Sequence, residues 1–126
     1  MLGVVDCRTD LVTRHFLLQE IVRHTYKHRA DPEMRSLCRK YSELHLAEFP
    51  MIAAPLRGMI GGFLPRVLTF QNYATVLTED GEYEKAIEVC QRAISYGLDK
   101  DLSDGTKSGY RGRIARIEKR MLNARR

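Results

Sequence analysis

No stretch of this 126-residue sequence is long and apolar enough to span a membrane. Pro50 to Pro65 comes nearest, but that segment holds Arg57, three glycines and three prolines. The opening residues Met-Leu-Gly-Val-Val-Asp have no basic region and no long apolar core, so no signal peptide is expected. Cysteine is scarce: Cys7, Cys38 and Cys90 are an odd count with no CxxC pair. Cys38 and Cys90 fall inside helical patterns, where a thiol acts as a small apolar side chain. Reduced thiols and a cytoplasmic location are the expectation. No useful length alternates with period two, which argues against strands. There is no HExxH and no GxxxxGK[ST], and no Ser/His/Asp or Cys/His set can be assembled. Neither a catalytic site nor a cofactor or metal site is expected, and the chain reads as a non-enzyme.

What is present suits one soluble domain, with 44% hydrophobic and 29% charged residues. The net charge of +5 is uneven. Residues 107–126 hold eight of the 21 Lys and Arg and one acidic residue, Glu118, whereas residues 1–106 sum to −2. The basicity belongs to the C-terminal segment.

Helical periodicity begins at Asp10, with Thr9 or Asp10 available as N-cap, and Leu11, Leu18, Ile21, Val22 and Tyr26 recur at threes and fours. Asp31-Pro32 stops that helix and starts another, because proline at the first helical position lacks a donor that would have no partner there anyway. Met34, Leu37, Cys38, Tyr41, Leu44 and Leu46 give the second helix its face, so that 10–48 reads as a helix pair. Residues 50–64 are apolar yet rich in Pro and Gly. They read as a loop with a short helical turn near Ile52–Leu56, able to cover the molecule or to serve as a contact. Pro65 opens a third helix with Val67, Phe70, Tyr73, Ala74 and Leu77 on one face, closed at Asp80-Gly81. A fourth runs from Tyr83 to Tyr96 and is closed by Gly97. A fifth, over about 106–124 with Thr106 as its cap, carries Tyr110, Ile114, Ile117 and Met121 on its apolar side. The class is all-α, about five helices in antiparallel hairpins with a basic helix capping the end.

The run Gly81-Glu82-Tyr83-Glu84-Lys85-Ala86-Ile87-Glu88-Val89-Cys90-Gln91-Arg92-Ala93-Ile94 resembles the turn and second helix of a tetratricopeptide (TPR) repeat. Residues 67–100 fit one 34-residue period: Ala74, Ala86 and Ala93 are the small positions and Gly81 makes the turn. Leu98 stands where the family usually has proline, and Leu77 where it usually has an aromatic. The helix pair 10–48 would be a second, degenerate repeat. Tyr26-Lys27-His28-Arg29, the repeat, and Asp104-Gly105-Thr106-Lys107-Ser108-Gly109-Tyr110 leading into Gly112-Arg113-Ile114 also resemble small TPR-like proteins of bacteria and their phages. That resemblance implies architecture and a bacterial or phage origin, and no activity. TPR proteins lay ligand peptides along the first helix of each repeat. Carried over by position, Phe70, Gln71, Ala74, Thr75, Thr78 and Glu79 would line such a groove. In the variant that binds acidic C-termini, Lys and Asn occupy places held here by Gln71 and Thr75, so that clamp is not implied.

Three further groupings invite a chemical reading. Gly105-Thr106-Lys107-Ser108-Gly109 superficially resembles a phosphate loop without its spacing, and Thr106 reads better as an N-cap. Arg113, Arg116 and Arg120 make one stripe on the fifth helix. With Lys107, Arg111 and Lys119 they form a candidate surface for a nucleic-acid backbone or another anion, against the plainer reading of a solvated capping helix. Glu20, His24 and His28 lie four apart and could share a metal with Asp31, but exposed histidines beside Lys27 and Arg29 are the simpler account. The function expected is a non-catalytic module that binds a peptide or helix of a partner protein. A nucleic-acid accessory role is the alternative, and self-association through the open end or the 50–64 segment is a third.

Overall fold

The computed structural model describes residues 7–60, 67–98 and 109–124, without the side chains of 7–9, 59 and 60. Five helices and no strand make up these residues: α1 (Cys7–Lys27), α2 (Pro32–Ile60), α3 (Leu68–Glu79), α4 (Tyr83–Ser95) and α5 (Gly109–Ala124). The all-α class holds. The chain divides into two compact units, Met1–Thr69 and Phe70–Arg126, with the division inside α3.

Unit 1 is an antiparallel hairpin of α1 and α2. Its turn is built as the sequence indicates: Pro32 opens α2, and Asp31 Oδ2 accepts a hydrogen bond from the Met34 N–H at 3.1 Å. Along α2 a buried row runs through Cys38, Ser42, His45, Phe49, Ile52 and Leu56, spaced alternately four and three, with Leu46 and Ala53 buried beside it. Along α1 they are Val12, His15, Leu18, Val22 and Thr25. This is the seam pattern of two helices lying side by side. Of the expected α1 face, Leu18 and Val22 are buried, whereas Leu11, Ile21 and Tyr26 are only half-buried. The helix also begins three residues before the expected Asp10.

The largest departure from the sequence reading is α2 itself. Residues 50–60, expected to be a loop, continue the helix, with Pro50 and Pro55 inside it; residues 61–64 lie outside the described part. A proline in a helix interior removes one hydrogen bond and costs about 3 kcal/mol. Here Phe49, Ile52, Ala53 and Leu56 are buried as one helical stripe. Full burial is worth about 1.5–3 kcal/mol for each large apolar side chain, so three of them supply a gain of the same size as the cost of both prolines. Tertiary burial overrides propensity.

In unit 2, α3 and α4 end in the same way. Gly81 and Gly97 both have φ of 81°, the Glu82 N–H reaches Leu77 O at 2.8 Å, and the Leu98 N–H reaches Ala93 O at 3.0 Å. Both are left-handed glycine caps that satisfy the helix's last carbonyls. Ala86, Val89, Cys90 and Ala93 form the buried stripe of α4, against which α5 packs with Tyr110 and Ile117 buried. The Phe70 ring of α3 meets that of Tyr96, the residue just after α4, at 6.1 Å, and the Lys85 ammonium of α4 stands 5.9 Å from the Tyr73 ring centre. Among the described residues no helix is long and apolar enough to cross a membrane.

Candidate functional site

Helix α3 is buried on almost every side. Thr69, Phe70, Asn72, Tyr73, Ala74, Val76, Leu77 and Thr78 are all buried. One strip escapes: Leu68, Gln71 and Thr75 are half-buried and Glu79 is exposed, at spacings of three, four and four. The six expected groove residues therefore separate. Gln71, Thr75 and Glu79 are accessible, whereas Phe70, Ala74 and Thr78 belong to the interior, and the Thr78 hydroxyl donates to Ala74 O at 2.7 Å. A charge placed at Ala74, a fully buried position, would disrupt the fold rather than only block a groove.

Thr75 is spoken for on both sides. Its hydroxyl donates to Gln71 O at 2.9 Å and accepts from Arg113 Nη1 of α5 at 2.9 Å. This joins the α3 strip to the basic helix, two features the sequence kept apart. On α5, Arg111, Arg116, Lys119 and Arg120 are exposed and Arg113 is half-buried, while Lys107 and the expected cap Thr106 lie outside the described residues. Elsewhere in this unit a cleft of about 420 Å³ opens between the α3–α4 turn (Gly81, Glu82, Tyr83, Glu84, Lys85) and Met121 and Ala124 of α5.

The candidate metal residues do not converge. Glu20 is held by Arg23, whose Nε donates to Oε1 at 2.9 Å, and Asp31 caps α2. The His24 and His28 rings meet each other at 4.8 Å. No group of three or more metal-ligating side chains occurs among the described residues.

A second constellation went unforeseen. His15 of α1 and His45 of α2 are both fully buried, with His15 Nδ1 and His45 Nε2 sharing a hydrogen bond at 2.8 Å. His45 Nδ1 shares another with Thr69 Oγ1 at 2.7 Å. The Phe49 ring lies 6.0 Å from His15 and 6.2 Å from His45, and the Phe16 ring 4.9 Å from His15. His15 Nε2 is buried without a partner. Burial holds both imidazoles down at about 4; for His45 the charge of His15 adds to this and Glu48 opposes it. Next to the pair, Arg14 grips Glu48 through Nε and Nη2 at 2.6 and 2.8 Å, which holds the Glu48 carboxyl below its usual range. Further along the seam Cys38 is buried beside the Thr25 and Ser42 hydroxyls, and burial pushes its thiol up. The available signal for the histidines was spacing: His15 stands three from both Val12 and Leu18, and His45 stands between Ser42 and Phe49.

No protein-family model matches this chain, and neither a curated protein nor a solved structure does so.

Proposed function

We propose that the chain is a TPR-like, non-catalytic cytoplasmic module of bacterial or phage origin that holds a peptide or helix of a partner protein. The carrying observation is the single accessible strip Gln71–Thr75–Glu79 on an otherwise buried helix. A helix fixed on its other sides presents its polar groups with little motion to lose on binding, which favours affinity. The Thr75 hydroxyl is engaged by Arg113 and by the Gln71 carbonyl, and the side chains that reach the surface along the strip are Gln71 and Glu79, with Arg113 beside Thr75. Apolar groups of the partner would supply most of the affinity, with these polar groups fixing its register.

The second reading rests on the exposed cations Arg111, Arg116, Lys119 and Arg120, with Glu118 the acidic residue among them. Such a helix suits the backbone of a nucleic acid, bound with strong salt dependence.

One experiment separates the two. The tagged protein is used to capture partners from source lysate, half of it nuclease-treated, alongside the double variant Gln71→Lys/Glu79→Lys. The module reading expects a discrete protein that survives nuclease and is lost from the double variant, with the circular-dichroism melt unchanged. Retention by that variant would defeat it. Capture that disappears with nuclease transfers the assignment to α5.

A further inference from the structure

The buried imidazoles of unit 1 have a feature that packing alone does not call for. Three polar groups from three successive helices stand in a row, His15 to His45 to Thr69, and the row ends in the unpartnered His15 Nε2. Two neutral proton arrangements satisfy it. In one, His15 Nδ1 donates to His45 Nε2 and His45 Nδ1 donates to Thr69. In the other, Thr69 donates to His45 and His45 donates to His15. Either leaves one buried nitrogen of His15 without a partner, and that cost is tolerable only while the ring is neutral. An added proton makes both nitrogens of one ring donors, and on His15 the second N–H has no acceptor.

We propose that the His15–His45–Thr69 row is a proton-operated latch on the α1–α2 hairpin, closed while both imidazoles are neutral and opened by proton uptake from solvent. The charged groups at this level are few. On α1 the neighbour is Arg14, held by Glu48, and on α2 it is Glu48, which acts on His45. The first turn of α3 contributes the uncharged Thr69. The Glu48 carboxylate favours a proton on His45, but its bidentate pairing with Arg14 diverts that charge. Burial prevails, and both rings stay neutral in the closed hairpin down to about pH 4.

Hydrogen exchange of the full-length protein, corrected for intrinsic rates and read by peptide, tests this between pH 7 and 4. Protection across 7–27 and 32–60 should fall about tenfold per pH unit for each proton taken up on opening. Segment 83–95 is the internal reference and should not follow that slope. The triple variant His15→Leu/His45→Leu/Thr69→Val should lose the slope, and Glu48→Gln should keep it. A slope that persists in the triple variant, or that vanishes with Glu48→Gln alone, overturns the latch. Should the triple variant fail to fold, ¹⁵N imidazole spectra of the unaltered protein decide. Protonation of His15 and His45 coinciding with loss of α1 protection supports the latch, and protonation with α1 protection intact refutes it.

Discussion

His15 and His45 show what burial does to a side chain usually counted as polar. With both rings at zero exposure and near 4 rather than 6.5, the folded protein binds fewer protons than the unfolded chain between those values. Stability is therefore full above about pH 6.5 and is lost as pH falls toward 4, by an amount on the order of a few kcal/mol for the pair. Urea unfolding at pH 7.0 and 4.5 should show this loss, and equal midpoints would contradict it. Thr69 gives a cleaner test at neutral pH. Thr69→Val keeps the shape but strands His45 Nδ1, for an expected cost of about 1–3 kcal/mol in urea unfolding at pH 7. Replacing both histidines by leucine along with it should cost less than the sum of the separate changes, since removing every partner leaves nothing unsatisfied.

The helices of unit 1 and unit 2 are specified in different ways. Gly81 and Gly97 end α3 and α4 because the backbone there is left-handed, which no residue with a Cβ adopts freely. Open space surrounds Gly81, so Gly81→Ala meets no clash and its cost is conformational alone, about 1 kcal/mol in a thermal melt. Helix α2 is the opposite case. Its second half runs against local preference, through Pro50 and Pro55, because Phe49, Ile52 and Leu56 are buried there. Pro50 is exposed, so Pro50→Ala should restore a helix donor with no loss of packing and raise stability by about 1–2 kcal/mol, after allowance for the freer unfolded chain. A lowered melting temperature would show that the proline shapes the helix rather than strains it. Polar groups at seam positions also fix how α1 lies on α2. His15 meets His45 in the seam and Arg14 meets Glu48 at its edge, and a shift by one turn would strand both imidazoles and break the ion pair.

In the molecule as a whole, α5 carries Arg111, Arg113, Arg116, Lys119 and Arg120 against one acidic residue, Glu118. If that helix meets nucleic acid, replacing Arg111, Arg116, Lys119 and Arg120 by Ser should flatten the slope of log affinity against log salt by about 0.9 for each phosphate contact removed. An unchanged slope would dismiss that reading and leave α5 as support for the α3 strip through Arg113. The exposed Phe16, Leu17 and Met51 lie in unit 1, so light scattering of the whole protein reports on self-association separately from either binding reading.

Local features were legible because their causes are local. The all-α class, the Asp31-Pro32 turn, the glycine stops at 81 and 97, and the apolar side of α5 with Tyr110 and Ile117 all depend on residues within a few positions of one another. Three features arise instead from groups far apart in the chain. Residues 50–60 are helical because of what their apolar side chains bury, a gain invisible from the two prolines. Thr75 is tied to Arg113 across 38 positions, and His15 to His45 across 30. Sequence periodicity can place each of those side chains on a helical face, but a hydrogen bond forms only where two faces meet. The sequence fixes faces and ends through backbone preference; the packing of helices determines which polar groups meet, which remain exposed, and hence where the protein can bind or respond to acid.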